Sequence, residues 1–198
     1  VMQIDLQIGG LGVRLEAGQA LSCVAWPLAP FETFLRPLTR PPDVLVTVTV
    51  VERLPDLPRG ALRFDACHGL WKLFAGPDGS GYMFESADTA TLAPRTRSIV
   101  SNDFSRVDSC ILYHRSEQGE GWVPMHLFNP LIEVCLVTRL SRAGGLVLHA
   151  SGVLDHGSVC VFTGPSGAGK STIADLFASR GASVLSDERV IIRRNREA

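Results

Sequence analysis

The sequence predicts a mixed α+β / α/β chain, in which a β-rich N-terminal part is followed by a phosphate-loop core. Three observations predict it. Through most of the first 120 positions apolar residues alternate with polar ones, the period of half-buried strands. Between 129 and 143 the period becomes helical. Finally, Gly164, Pro165, Ser166, Gly167, Ala168, Gly169, Lys170, Ser171 and Thr172 fit the pattern G-x-x-x-x-G-K-[ST], flanked by a strand-like run and a helix-like run. The chain is accordingly divided into a β-rich domain at 1–128, a bridging helix at 129–143 and a phosphate-loop core at 144–198.

Met2, Ile4, Leu6 and Ile8, then Gly9-Gly10, then Leu11, Val13 and Leu15 read as a hairpin. The stretch 27–42 has prolines at 27, 30, 37, 41 and 42 and reads as connection, with a short helix around 31–35. Val44, Val46, Val48 and Val50, set against Thr47 and Thr49, mark the clearest strand, and Leu62 and Phe64 suggest another. The runs 70–74 and 82–85 flank a glycine-rich loop at 76–81; 107–113 is a further strand and 116–121 a polar loop. This part is expected to be mostly antiparallel. Asn129 suits a helix N-cap and Pro130 a first helical position, and Gly144-Gly145 ends the run. Leu131, Ile132, Val134, Cys135, Leu136, Val137 and Leu140 make that helix apolar nearly all round, so it is expected to be buried. Two strands follow, 146–150 and 157–163, joined through Asp155-His156-Gly157.

Composition narrows the function. The 198 residues are 45% hydrophobic and 20% charged, values of a soluble globular protein with length enough for a core. A formal net charge of −1 gives no overall pull toward nucleic acid. No run is long enough to span a bilayer and no signal pattern opens the chain, so a cytoplasmic protein without a membrane partner is expected. Both ends look cut, since the chain opens on Val1 and stops just after a strand-like run. The cysteines at 23, 67, 110, 135 and 160 are odd in number and contain no C-x-x-C pair, the pattern of reduced thiols packed as small apolar groups. His68, His114 and His126 lack ligand spacing and read as structural, and His156 as a solvated turn residue.

The loop's chemistry is specific. Glycines let several backbone N–H groups converge on one phosphate chain, Lys170 supplies positive charge for the outer phosphates, and the Ser171 hydroxyl can reach a magnesium ion. A dinucleotide fingerprint is excluded, because Thr172 stands where the third glycine belongs. Asp187 and Glu188 follow a short apolar run at 183–185, the strand end at which open α/β sheets bind ligands. Such a pair can divide general-base work and metal binding; an Asp-Glu surface turn paired with Arg189 is the bland alternative. His149, in an apolar strand, is either a core residue or a phosphate ligand.

With His149, the phosphate loop, Ser179-Arg180-Gly181 and Leu185-Ser186-Asp187-Glu188-Arg189-Val190 in these positions, the segment 148–193 resembles the catalytic core of the HPr kinase/phosphorylase family, whose fold is shared more distantly with ATP-dependent phosphoenolpyruvate carboxykinases. Residues 1–143 do not resemble that family's regulatory domain. The resemblance implies an incomplete HPr kinase-like core that uses ATP and Mg²⁺. In it Lys170 and the loop amides hold the β- and γ-phosphates, Ser171 and Asp187 bind the metal, His149 lies near the phosphates, and Asp187 or Glu188 is the base. The family's pair is two aspartates, with the second the base; Glu188 departs by one methylene. Thr172 and Pro165 also depart from bacterial HPr kinases, so the closer resemblance is to relatives that phosphorylate peptide precursors of natural products. HPr kinases are hexamers, which implies a homo-oligomer, and the apolar helix at 130–142 suits an interface as well as it suits a core.

The leading expectation is thus an ATP- and Mg²⁺-dependent kinase acting on a serine-type hydroxyl of a peptide or protein, with the β-rich part helping to recognise the acceptor. The alternative is a nucleotide-binding regulatory or scaffold module without phosphotransfer. A metabolic carboxykinase ranks third, for want of an arginine-rich substrate site.

Overall fold

A computed structural model describes residues 2–18, 29–66, 69–116 and 119–194. Pro27, Cys23, Cys67, His68 and the terminal 195–198 lie outside the described residues. The chain is mixed α+β, mostly sheet, and forms two compact units, Val1–Arg139 and Leu140–Ala198.

The first unit is built on an eight-stranded sheet. Its strands are β1 (Met2–Ile8), β2 (Leu11–Ala17), β3 (Val44–Val51), β4 (Leu62–Ala66), β5 (Trp71–Ala75), β6 (Tyr82–Ala87), β7 (Pro94–Val100) and β8 (Arg106–Leu112), in the order β1-β2-β3-β8-β7-β6-β5-β4. The β1–β2 hairpin turns through Gly9 and Gly10 at φ +57° and +76°, left-handed values that a two-residue hairpin turn requires and glycine supplies without strain. The expectation of a mostly antiparallel arrangement needs one correction: β2 pairs β3, and β3 pairs β8, in parallel. Parallel neighbours need long crossovers. The first runs from β2 to β3 and carries the short helix α1 (Ala29–Glu32); the second contains the meander β4 to β7. The expected polar loop at 116–121 contributes to a small hairpin, β9 (His114–Ser116) with β10 (Gly119–Gly121).

Alternation places the core. Leu6, Val13, Leu15, Val44, Val46, Val107 and Ile111 are fully buried. In β6, β7 and β8 the same inward positions carry hydroxyls, paired across strands: Ser86 with Thr96 at 2.6 Å, and Ser98 donating to Ser109 at 2.8 Å. Each pair satisfies two polar groups that burial would otherwise leave without partners.

The helical run begins with a short turn, α2 (Met125–Leu127). A wider turn over Phe128–Ile132 follows, then α3 (Glu133–Arg142), which Gly144 ends at φ +74°. Asn129 has extended backbone angles (φ −116°, ψ 110°) before a cis Pro130, so the chain bends where a cap was expected. The helix is not buried all round. Leu131, Ile132, Cys135, Leu136 and Leu140 are covered, whereas Val137 is exposed beside Ser141 and Arg142. Glu133, Thr138, Arg139 and Arg142 supply a polar face that the run of apolar residues masks. The boundary between the units falls within α3.

The second unit is organised on one long strand, β11 (Gly145–Asp155). One side pairs with β12 (Ser158–Thr163), after the His156-Gly157 turn in which the His156 side chain is 93% exposed. The other side pairs with β13 (Ser183–Ser186) along its later half and β14 (Arg189–Arg193) along its earlier half. All three pairings are antiparallel, so this sheet is α+β in its neighbours. The helix α4 (Lys170–Ala178) joins β12 to β13 and packs across β11 and β13, and its Phe177 ring lies 5.5 Å from that of Phe162 on β12. Among the described residues no helix is long and apolar enough to cross a membrane.

Candidate phosphate-binding site

Because β12 and β13 both run opposite to β11, they are parallel to each other, and α4 is the crossover between them. Their C-terminal ends therefore emerge at the same end of the sheet. Thr163, the last residue of β12, pairs with Ala150, and Ser186, the last of β13, pairs with Gly152. The phosphate loop and Asp187 are thus set level with the middle of β11.

The loop's shape follows from its glycines. Gly167 and Gly169 have φ of +80° and +84°, where a side chain is strained, and Gly169 is the residue before the first turn of α4. No side chain caps that turn, which leaves its N–H groups available to an anion, favoured there by the helix dipole. The residues 165–169 are exposed, but Lys170 is only 9% exposed. Its Nζ donates to the carbonyl oxygens of Gly164 at 3.0 Å and Pro165 at 3.1 Å. Beside it lies a cavity of about 390 Å³ lined by Phe162, Thr163, Ala168, Gly169, Lys170 and Ile173.

The structure brings Asp187 to the same point. Its Oδ1 accepts a hydrogen bond from Ser151 Oγ at 2.5 Å, and the Ser171 hydroxyl and the Lys170 charge lie near enough to act on the same carboxylate. The Ser151 bond foremost, then the nearby Ser171 hydroxyl and the Lys170 charge, hold the Asp187 carboxyl below its ordinary range despite some desolvation. Lys170, Ser171 and Asp187 therefore form one cluster. His149 and Glu188 do not join it through hydrogen bonds: both are exposed, and their side chains have no hydrogen-bond or ion-pair partner among the described residues. The Glu188 carbonyl accepts from the Ala150 N–H at 3.2 Å, which ties the Asp-Glu turn to β11. Ser166 and Thr172 are exposed on the loop and the first turn of α4.

Sequence reasoning missed Ser151. A serine between Ala150 and Gly152 in a strand carries no local signal, and its partner is 36 residues away. Elsewhere the histidines form no metal-holding group: no set of three or more His, Cys, Asp or Glu is gathered for a metal among the described residues. His114 and His126 are partly buried, and burial pushes the His126 pKa down. The Cys135 thiol is buried and pushed up to about 12 by desolvation, and Cys110 is raised for the same reason.

Mg²⁺ prefers hard oxygen donors and is commonly held by one or two carboxylates together with substrate phosphates and water. Ser171 and Asp187 fit that donor set, and the loop fits a polyphosphate. Comparison with models of known protein families, with curated proteins and with solved structures finds no match in any of the three.

Proposed function

We propose that the chain is a phosphotransferase, which binds ATP with Mg²⁺ at the phosphate loop and transfers the γ-phosphoryl group to a serine-type hydroxyl on a peptide or protein. The observation that carries this reading is the convergence of Lys170, Ser171 and Asp187 at one end of the second unit's sheet. Phosphoryl transfer is mostly positioning and charge neutralisation, and these are the group types it uses. Lys170 exchanges its two loop carbonyls for β- and γ-phosphate oxygens. Ser171 and Asp187 would hold the metal, which supplies charge neutralisation between the phosphates when bound. Asp187, already accepting the Ser151 hydroxyl bond and lowered in pKa, is a weak base. Glu188 is left to take the proton. The acceptor oxygen forms its bond to the γ-phosphorus, the bond from that phosphorus to the β,γ-bridging oxygen breaks, ADP leaves, and the acceptor proton passes to the Glu188 carboxylate. A reaction of this kind fits the cytoplasm.

A second reading, nucleotide binding without transfer, is favoured by the lack of side-chain partners for Glu188 and His149 among the described residues. Radiolabelled ATP and a panel of peptide and protein acceptors separate the two. Transfer that depends on Lys170 and Glu188 supports the kinase; transfer undiminished in Lys170→Ala sinks it; tight binding with no turnover on any acceptor supports the module.

A further inference from the structure

Ser151 is fully buried, yet its hydroxyl reaches a carboxylate that is itself exposed. A buried strand serine can satisfy its hydroxyl on nearby backbone. This one instead spans from the middle of β11 to the break between β13 and β14 and donates to Asp187 Oδ1 at 2.5 Å. The backbone of that break has its own supports: Ala150 N–H to the Glu188 carbonyl at 3.2 Å, and Ser186 Oγ to the Arg189 carbonyl at 2.8 Å. The Ser151 hydroxyl is therefore spare for the turn and acts on the side chain of Asp187. Without it, an exposed carboxylate is free to leave the rotamer that keeps it near Ser171 and Lys170.

We infer that Ser151 is a positioning residue that sets the site's affinity for a divalent cation by fixing the Asp187 carboxylate beside Ser171. This rests on the proposed Mg²⁺–nucleotide site. Ser151 touches neither phosphate nor metal in this role; it orients a group that does, as outer-shell partners do around metals generally. Its β11 neighbours Ala150 and Gly152 pair with Thr163 and Ser186, the last residues of β12 and β13, which sets Ser151 level with the loop end of the sheet.

The test uses the full chain, Mn²⁺ as a paramagnetic probe and a non-hydrolysable ATP analogue. Free Mn²⁺ is followed by electron paramagnetic resonance, and analogue binding in excess chelator by calorimetry. Ser151→Ala is expected to weaken Mn²⁺ binding in the analogue's presence about 10- to 100-fold, with metal-free analogue affinity unchanged. Ser151→Thr, which keeps a hydroxyl, is expected to return to within a few-fold of the parent. Mn²⁺ binding by Ser151→Ala within twofold of the parent overturns the inference. So does an equal loss of metal-free analogue binding, which would make Ser151 a merely structural residue. Should Ser151→Ala lose its far-ultraviolet dichroism, Ser151→Cys, similar in size and a weak donor, carries the same comparison. A parent chain that binds neither analogue nor Mn²⁺ removes the underlying site, an outcome distinct from a parent that binds both and a variant that does the same.

Discussion

Lys170 Nζ donates to the Gly164 carbonyl oxygen at 3.0 Å, so the loop's cation is bonded to the first residue of its own loop. With Pro165 as its second acceptor the ammonium has charge-assisted bonds that a phosphate chain can replace. Under the proposed function that exchange would favour the nucleotide, because phosphate oxygens carry formal charge and carbonyls do not. Lys170→Met keeps the side chain's length and removes the charge. It is expected to weaken ATP binding by about 1.5–3 kcal/mol, the worth of hydrogen bonds to charged groups, or roughly 10- to 100-fold. Calorimetry checks this, and an affinity within twofold of the parent would contradict it.

Asp187 makes a different prediction, because its proposed part is played through the metal. Asp187→Asn keeps the shape of the side chain and an acceptor oxygen for Ser151, but loses the negative charge. Nucleotide binding in chelator is expected to hold steady, while the Mg²⁺ concentration for half-maximal binding rises about tenfold or more. A titration of Mg²⁺ at fixed nucleotide reads both quantities. An unchanged Mg²⁺ midpoint would mean that the cation, if bound, sits elsewhere.

Some of this was open to a reading of residues alone. The phosphate loop was legible because one chemical task dictates glycine, lysine and hydroxyl at fixed spacing. Asp187 was singled out because it follows a strand-like run, at the strand end where open α/β sheets bind ligands. Ser151 was not, since nothing local distinguishes a buried serine that reaches across a sheet from any small strand residue. β7 was hidden for a related reason. In Pro94–Val100 two of the buried positions are Thr96 and Ser98, so its alternation is polar on both faces and carries no hydrophobic period. The parallel pairings of β3 were equally hidden, because register partners far apart along the chain leave no trace in short-range patterning.

Asp103, in the turn between β7 and β8, gives a pH prediction. Its Oδ1 accepts from the Ser101 hydroxyl at 2.7 Å and from the Ser105 hydroxyl and N–H at 2.8 and 3.1 Å, while Oδ2 faces Arg139 at 3.3 Å. These bonds, the Ser101 hydroxyl first, lower its pKa from 3.8 to about 2. A folded-state pKa below the unfolded one adds stability that is fully present above the unfolded value and disappears as pH falls through the folded value. The melting temperature of the parent is therefore expected to exceed that of Asp103→Asn at neutral pH, and the gap to close between about pH 4 and pH 2. A gap that stays constant across that window would contradict the assignment.

The hydroxyl pairs in the sheet's core predict non-additivity. Ser98 and Ser109 are both buried, and each is the other's partner at 2.8 Å. Ser98→Ala leaves the Ser109 hydroxyl desolvated without a partner, a cost of about 1–3 kcal/mol. Ser109→Ala does the same to Ser98. Replacing both removes the polar groups together and leaves two small methyls facing one another across β7 and β8, which can be nearly neutral. The double variant is thus expected to be more stable than the sum of the single losses predicts, with a coupling of roughly 0.5–3 kcal/mol. Denaturant unfolding of the four proteins measures it. Losses that simply add would show that the two hydroxyls do not depend on each other, because each would then have another way of being satisfied in the folded sheet.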